Sequence, residues 1–337
     1  MKKNNLIICD SDEKYCKKLD GFLRECLSIP FTISEYTNAG YLREFEGKQD
    51  ALLVISEKLF SFDVVEGFKN ILVLLEMPKA VCERENVFGL DDANIKYTAK
   101  YQSGEKISES ILSMCLDMPG VIVANPRLKA KSSLKLIGFY TPVKSILQTK
   151  IALDFAKQLA GGERCLYVNN DPYCCERELK ANEFSENITD LMYYSECERD
   201  KFSLYLEKIA KRLGKLYYLP TSDGQIRDAN AASYLRLISC IEESGKYETM
   251  VLDLTEEMPS FTEVLKRLDT LIVLTSQGKY AEDKLRIFMN ELENTEGFPT
   301  EIVMKVDASR VQDLPGMIIK EMKKGDRFEK RGIKESN

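Results

Sequence analysis

Three groups of residues have the types and spacing to do chemistry. Residues 143–149, V-K-S-I-L-Q-T, follow an apolar run, LKLIGFY (134–140), and precede a helix-period segment ending in LDFAKQLA (153–160). A strand, a short loop and a helix N-terminus in that order aim backbone N–H groups at a phosphate, provided glycines let the loop fold around it. No glycine stands in this loop. What remains for a nucleotide is Lys144, Ser145, Gln148, Thr149 and Lys150, with hydroxyls and an amide to donate hydrogen bonds and lysines to neutralise phosphate charge. The second group is a pair of acids at strand ends, Asp171 after RCLYVNN (164–170) and Asp253 in TMVLDL (249–254). The third is Asp10 and Asp12, closing NLIICD (5–10), a strand-end pair for a divalent cation. Each has a plainer reading beside it. Lysines in a first helical turn are commonly solvated, an acid at the end of a buried strand sits comfortably beside a helix N-terminus, and two acids in a turn are commonly a wet loop.

Composition narrows the chemistry further. The 337 residues contain no histidine, so serine–histidine and cysteine–histidine nucleophiles and histidine-ligated zinc are excluded. The ten cysteines include no C-x-x-C. Cys9, Cys16, Cys26, Cys165 and Cys240 lie among aliphatic residues, as small core hydrophobes do in a reducing compartment. The adjacent Cys174–Cys175 is the exception that merits a redox test. A net charge of −6 argues against a nucleic-acid-wrapping surface, and no apolar run is long enough to span a bilayer. The opening MKKNNLIICDSDEKYC reads as a strand rather than a signal peptide, because its apolar stretch runs straight into acids. A cytoplasmic protein is expected, without stable membrane insertion.

The elements that must position these residues alternate between short apolar runs and helix-period segments, the pattern of parallel α/β sheets. NLIICD, FTISEY (31–36), ALLVIS (51–56), NILVLLE (70–76) and ANIKYT (93–98) are strands of a first domain, 1–118, with helices over 13–28 and 105–118. Residues 119–133 read as a linker, with VIVA (121–124) a short edge strand or linker packing. A second domain, 134–325, adds RCLYVNN, KLYYLP (215–220), TMVLDL, TLIVLTS (270–276) and EIVMKV (301–306). Two helical stripes are expected there, one of Phe202, Leu206, Ile209, Ala210 and Leu213, the other of Leu285, Phe288, Met289 and Leu292. Residues 326–337 read as a charged tail, fraying from Lys320 onward, and solvated rather than lipid-bound. The segment 172–200, rich in charge and in tyrosine (Tyr173, Tyr193, Tyr194), suits an interface.

The opening IICDSDEKYCKKL resembles the first strand and helix of two-component receiver domains. The resemblance implies a magnesium site at Asp10 and Asp12 and a family lysine at Lys100 in YTAKYQSGE. It departs at the phosphate acceptor, where Ser56, followed by Glu57, stands for the aspartate, and after strand four, where Leu75-Glu76 replaces the switch hydroxyl. A pseudo-receiver, an interaction module, is the implied role. The second domain resembles the MinD/ParA ATPases with an eroded P-loop. Against their K-G-G-x-G-K-[ST], Val143 stands at the signature lysine, Lys144 and Ser145 at two glycines, Leu147 at the third, Gln148 at the phosphate lysine, and only Thr149 is kept. Leu147 departs most, since a branched side chain tolerates positive φ poorly and would take space that phosphates need. Asn169 and Asp171 resemble the family's D-x-D-P acids, and Asp253 its Walker B aspartate.

In order, the whole chain resembles the TadZ/CpaE pilus-assembly proteins. This implies an α/β protein of two consecutive parallel-sheet domains, flavodoxin-like then P-loop NTPase-like. It also implies a homodimer that partners Tad (type IVb) pilus or secretion proteins and is recruited to the inner membrane or cell pole. Three readings follow: a non-catalytic scaffold, a slow or binding-only ATPase using ATP and magnesium, and a signalling output protein with magnesium at Asp10 and Asp12.

Overall fold

The computed structural model describes residues 4–27, 29, 31–77, 93–118, 121, 134–143, 147–174, 176–179, 186–221, 230–293, 300–306 and 311–332. The chain divides into two compact units, 1–129 with 203–208, and 130–202 with 209–337. The α/β class with two parallel sheets is as expected.

The first unit carries β1 (Asn4–Cys9), α1 (Glu13–Cys26), β2 (Phe31–Tyr36), β3 (Ala51–Ser56), α2 (Phe62–Val65), β4 (Asn70–Leu75), β5 (Asn94–Ala99) and α3 (Gly104–Asp117). Its strands lie in the order β2-β1-β3-β4-β5, all parallel, which is the doubly wound flavodoxin-like order. Strands β3 and β4 are buried along their whole length, as their unbroken apolar runs require when helices cover both faces. Helix α1 starts where Asp12 caps it, accepting from the N–H groups of Lys14 and Tyr15, a cap that contributes about 1 kcal/mol. Its buried stripe is Cys16, Leu19 and Leu23.

The second unit carries β6 (Lys135–Tyr140), α4 (Leu147–Leu159), β7 (Cys165–Asn169), α5 (Ile188–Cys197), then β8 (Lys211–Leu213), β9 (Leu216–Leu219), α7 (Ala231–Ser244), β10 (Thr249–Asp253), α8 (Phe261–Leu265), β11 (Thr270–Thr275), α9 (Lys279–Glu293), β12 (Thr300–Lys305) and α10 (Leu314–Gly332). Helix α6 (Phe202–Ile209) precedes β8 in the chain. The sheet runs β12-β11-β6-β10-β7-β9-β8, parallel except for the antiparallel β8–β9 pair. Its central strands pack Phe139 on Phe155 of α4, ring centroids 5.0 Å apart, within a core that includes Tyr167, Val251 and Ile272. Gly138 lets β6 fit: a Cβ there would lie 2.5 Å from Leu268 and 2.7 Å from Leu254, the residue after Asp253.

One expectation is corrected. The helical stripe through Ala210 and Leu213 ends early, because α6 stops at Ile209 and Lys211–Leu213 turns back as an edge strand. Gly214, at φ 65°, supplies the left-handed residue that the tight β8–β9 turn needs. Helix α10 runs past Lys320 to Gly332. The stripe on α9 is present, with Phe288 and Leu292 buried. The VIVA segment and Cys175 lie outside the described residues, apart from Val121.

Candidate functional site

In the second unit the carboxyl ends of β6, β7 and β10 meet the first turn of α4, the edge at which open α/β sheets hold ligands. Asp253 ends β10 beside Asn169, its register partner on β7, and is 1% exposed. Its carboxylate is ringed by neutral donors. Gln148 Nε2 donates to Oδ1 at 2.6 Å, while Tyr167 OH (3.1 Å) and Asn169 Nδ2 (3.2 Å) donate to Oδ2, and the Thr149 hydroxyl adds a fourth bond. An ionised carboxylate has about four acceptor positions, so this set fills it. No cation balances Asp253 among these partners. Full burial pushes its pKa up to about 6, against the lowering pull of Gln148, Thr149 and Tyr167.

The network extends inward. Gln148 Nε2 also donates to the carbonyls of Phe139 (3.3 Å) and Leu254 (2.8 Å), tying α4 to β6 and β10. Asn170 Nδ2 reaches the carbonyl of Asp253 at 3.1 Å, and Tyr234 OH of α7 donates to Asn170 Oδ1 at 2.6 Å. Burial raises the Tyr167 and Tyr234 hydroxyls well above the usual phenol range, so both remain protonated donors. A chain of buried hydrogen bonds thus runs from α7 to the end of β10, in a low-dielectric setting where each unmet partner would be costly.

Bordering this network lies a cleft of about 390 Å³ lined by Tyr140, Gln148, Thr149, Asp171, Asp253 and Glu256, among others. Asp171 is half-buried; its Oδ1 accepts from the N–H of Tyr173 at 2.9 Å, and its own N–H donates to Asn169 Oδ1 at 2.7 Å. Tyr140, at the end of β6, donates its hydroxyl to Glu256 and packs against Phe261 and Phe288. No lysine or arginine stands among the described lining residues. Leu147 lies in the helix and packs against the hydrophobic core rather than in a left-handed loop. Lys150 is exposed, and Lys144 and Ser145 lie outside the described residues.

The first unit has a second candidate site at the same edge of its own sheet. Asp10 and Lys100, 1% and 4% exposed, form an ion pair with Nζ 2.5 Å from Oδ2. Asp10 Oδ1 accepts the N–H of Asp12 at 2.9 Å, and the Lys100 ammonium lies 4.7 Å from the centre of the Tyr15 ring. Tyr15 OH donates to the Lys100 carbonyl at 3.1 Å. Asp12, the expected partner of Asp10, is spent on capping α1. Ser56, beside them at the end of β3, is buried with its hydroxyl unpartnered, and Glu57 accepts the N–H of Glu76 at 3.2 Å. Among the described residues of either unit, no three acids or cysteines are grouped to hold a metal ion.

Comparison with solved structures finds similarity at low identity. The similarity is to the ParA family ATPase of Chlorobium tepidum (15% identity over 55% of this chain and 81% of that one, TM-score 0.42). An ATP complex of a McdA variant from Cyanothece (14%, 52% and 70%, 0.42) and the MinC:MinD complex of Aquifex aeolicus (13%, 53% and 72%, 0.40) are similar to the same degree. No family model and no curated protein matches the chain. Among the described residues no helix is long and apolar enough to cross a membrane.

Sequence reasoning singled out Asp253, Thr149, Gln148, Asn169 and Asp171, and the fold brings all five to one edge. It missed Tyr167, Asn170, Tyr234 and the Tyr140–Glu256 pair. A signal existed for Tyr167: a tyrosine inside an apolar strand must find a partner for its hydroxyl. Nothing local marks Tyr234, whose partner is 64 residues away.

Proposed function

We propose that this chain is a non-catalytic scaffold or localisation factor built on a MinD/ParA-like ATPase fold whose nucleotide site is degenerate. The observation that carries the reading is the carboxylate of Asp253, filled by Gln148, Thr149, Tyr167 and Asn169. A magnesium ion held there would have to displace at least one of these donors. The triphosphate would then lie in a cleft whose described lining contains carboxylates and no cation, so the residues described do not fit a magnesium nucleotide. Gln148, where the family places its phosphate lysine, instead bonds the Walker B position and two backbone carbonyls.

The first unit fits the same reading as a pseudo-receiver. Lys100 neutralises Asp10 where a magnesium ion would sit, and Ser56 cannot form an acyl phosphate. We assign it a docking role and assign the whole chain to a Tad (type IVb) pilus or secretion assembly, as a homodimer recruited to the inner membrane or cell pole. In the proposed division, 1–118 is the pseudo-receiver, 119–133 the linker, 134–325 the ATPase-like domain and 326–337 the tail. The test is calorimetry with magnesium ATP on the full chain, beside steady-state turnover. No heat at millimolar nucleotide and no turnover are expected. Binding abolished by Asp253→Ala and Thr149→Ala would replace this reading with a nucleotide-dependent switch.

A further inference from the structure

We draw no further inference here: the strongest candidate, the cleft at the carboxyl ends of β6, β7 and β10, belongs to the site already described and offers a ligand only the surface carboxylates of Asp171 and Glu256, with no unpartnered buried side chain among its described lining residues.

Discussion

The two units bury a carboxylate at the same place, the carboxyl end of a central parallel strand, and satisfy it by opposite means. In the first, Asp10 is held by a full charge, Lys100, flanked by the Tyr15 ring. In the second, Asp253 is held by four neutral donors, with no cation among its described partners. A buried ion pair balances two desolvation costs against each other, so losing one partner strands the other. A neutral network leaves one net charge in the interior, and its carboxylate then shifts toward the protonated form. The difference teaches that position on an α/β sheet does not dictate electrostatics; the helix and loop side chains brought to the edge do.

The largest expected effect breaks the first site. Lys100→Met should destabilise the first unit by about 3–5 kcal/mol by leaving Asp10 buried and unpaired. Chemical denaturation would measure this, and the double variant Lys100→Met/Asp10→Leu should recover most of it. A double variant as unstable as the single would show that the pair is not the source of the loss.

Breaking the second site comes next. Asp253→Ala strands the donors of Gln148, Tyr167 and Asn169 and leaves a small cavity, for a loss of about 2–4 kcal/mol. Unchanged unfolding midpoints would remove the network from the account of this unit's stability.

A third test turns the second site into the first. Because the folded-state pKa of Asp253, about 6, lies above the ordinary 3.8, the native state binds its proton more tightly than the unfolded chain does. Its contribution to stability is therefore full below 3.8 and is lost as pH rises through 6. Lowering the pH from 7 to 5 should raise the second unit's stability by on the order of 1–2 kcal/mol relative to Asp253→Asn. Gln148→Lys should place a cation against Asp253, pull that pKa down and flatten the difference. A slope identical in both proteins would contradict the assignment.

The smallest effect sharpens the reach of the network. Tyr234→Phe removes one buried hydrogen bond to Asn170 and should cost about 1 kcal/mol, with faster amide exchange at the end of β10. Exchange unchanged there would sever α7 from the site.

The sequence by itself determined the α/β class and the approximate place of most strands, because unbroken apolar runs such as ALLVIS and NILVLLE can be satisfied only between covering layers. It also marked Gln148, Thr149, Asn169, Asp171 and Asp253, because each stands at a strand end or helix start whose local pattern is legible. Helix limits were less secure: α6 stops at Ile209 because Gly214 opens a hairpin that competes with the helical period. What these residues do to one another was decided only by the tertiary structure. Gln148 meets Asp253 across 105 residues, Lys100 reaches back to Asp10 from the far strand, and Tyr234 closes the network from a separate helix. Hydrogen bonds and ion pairs depend on distances of a few ångströms. Residue type and local periodicity set which groups are available, and only the packed sheet sets which of them touch.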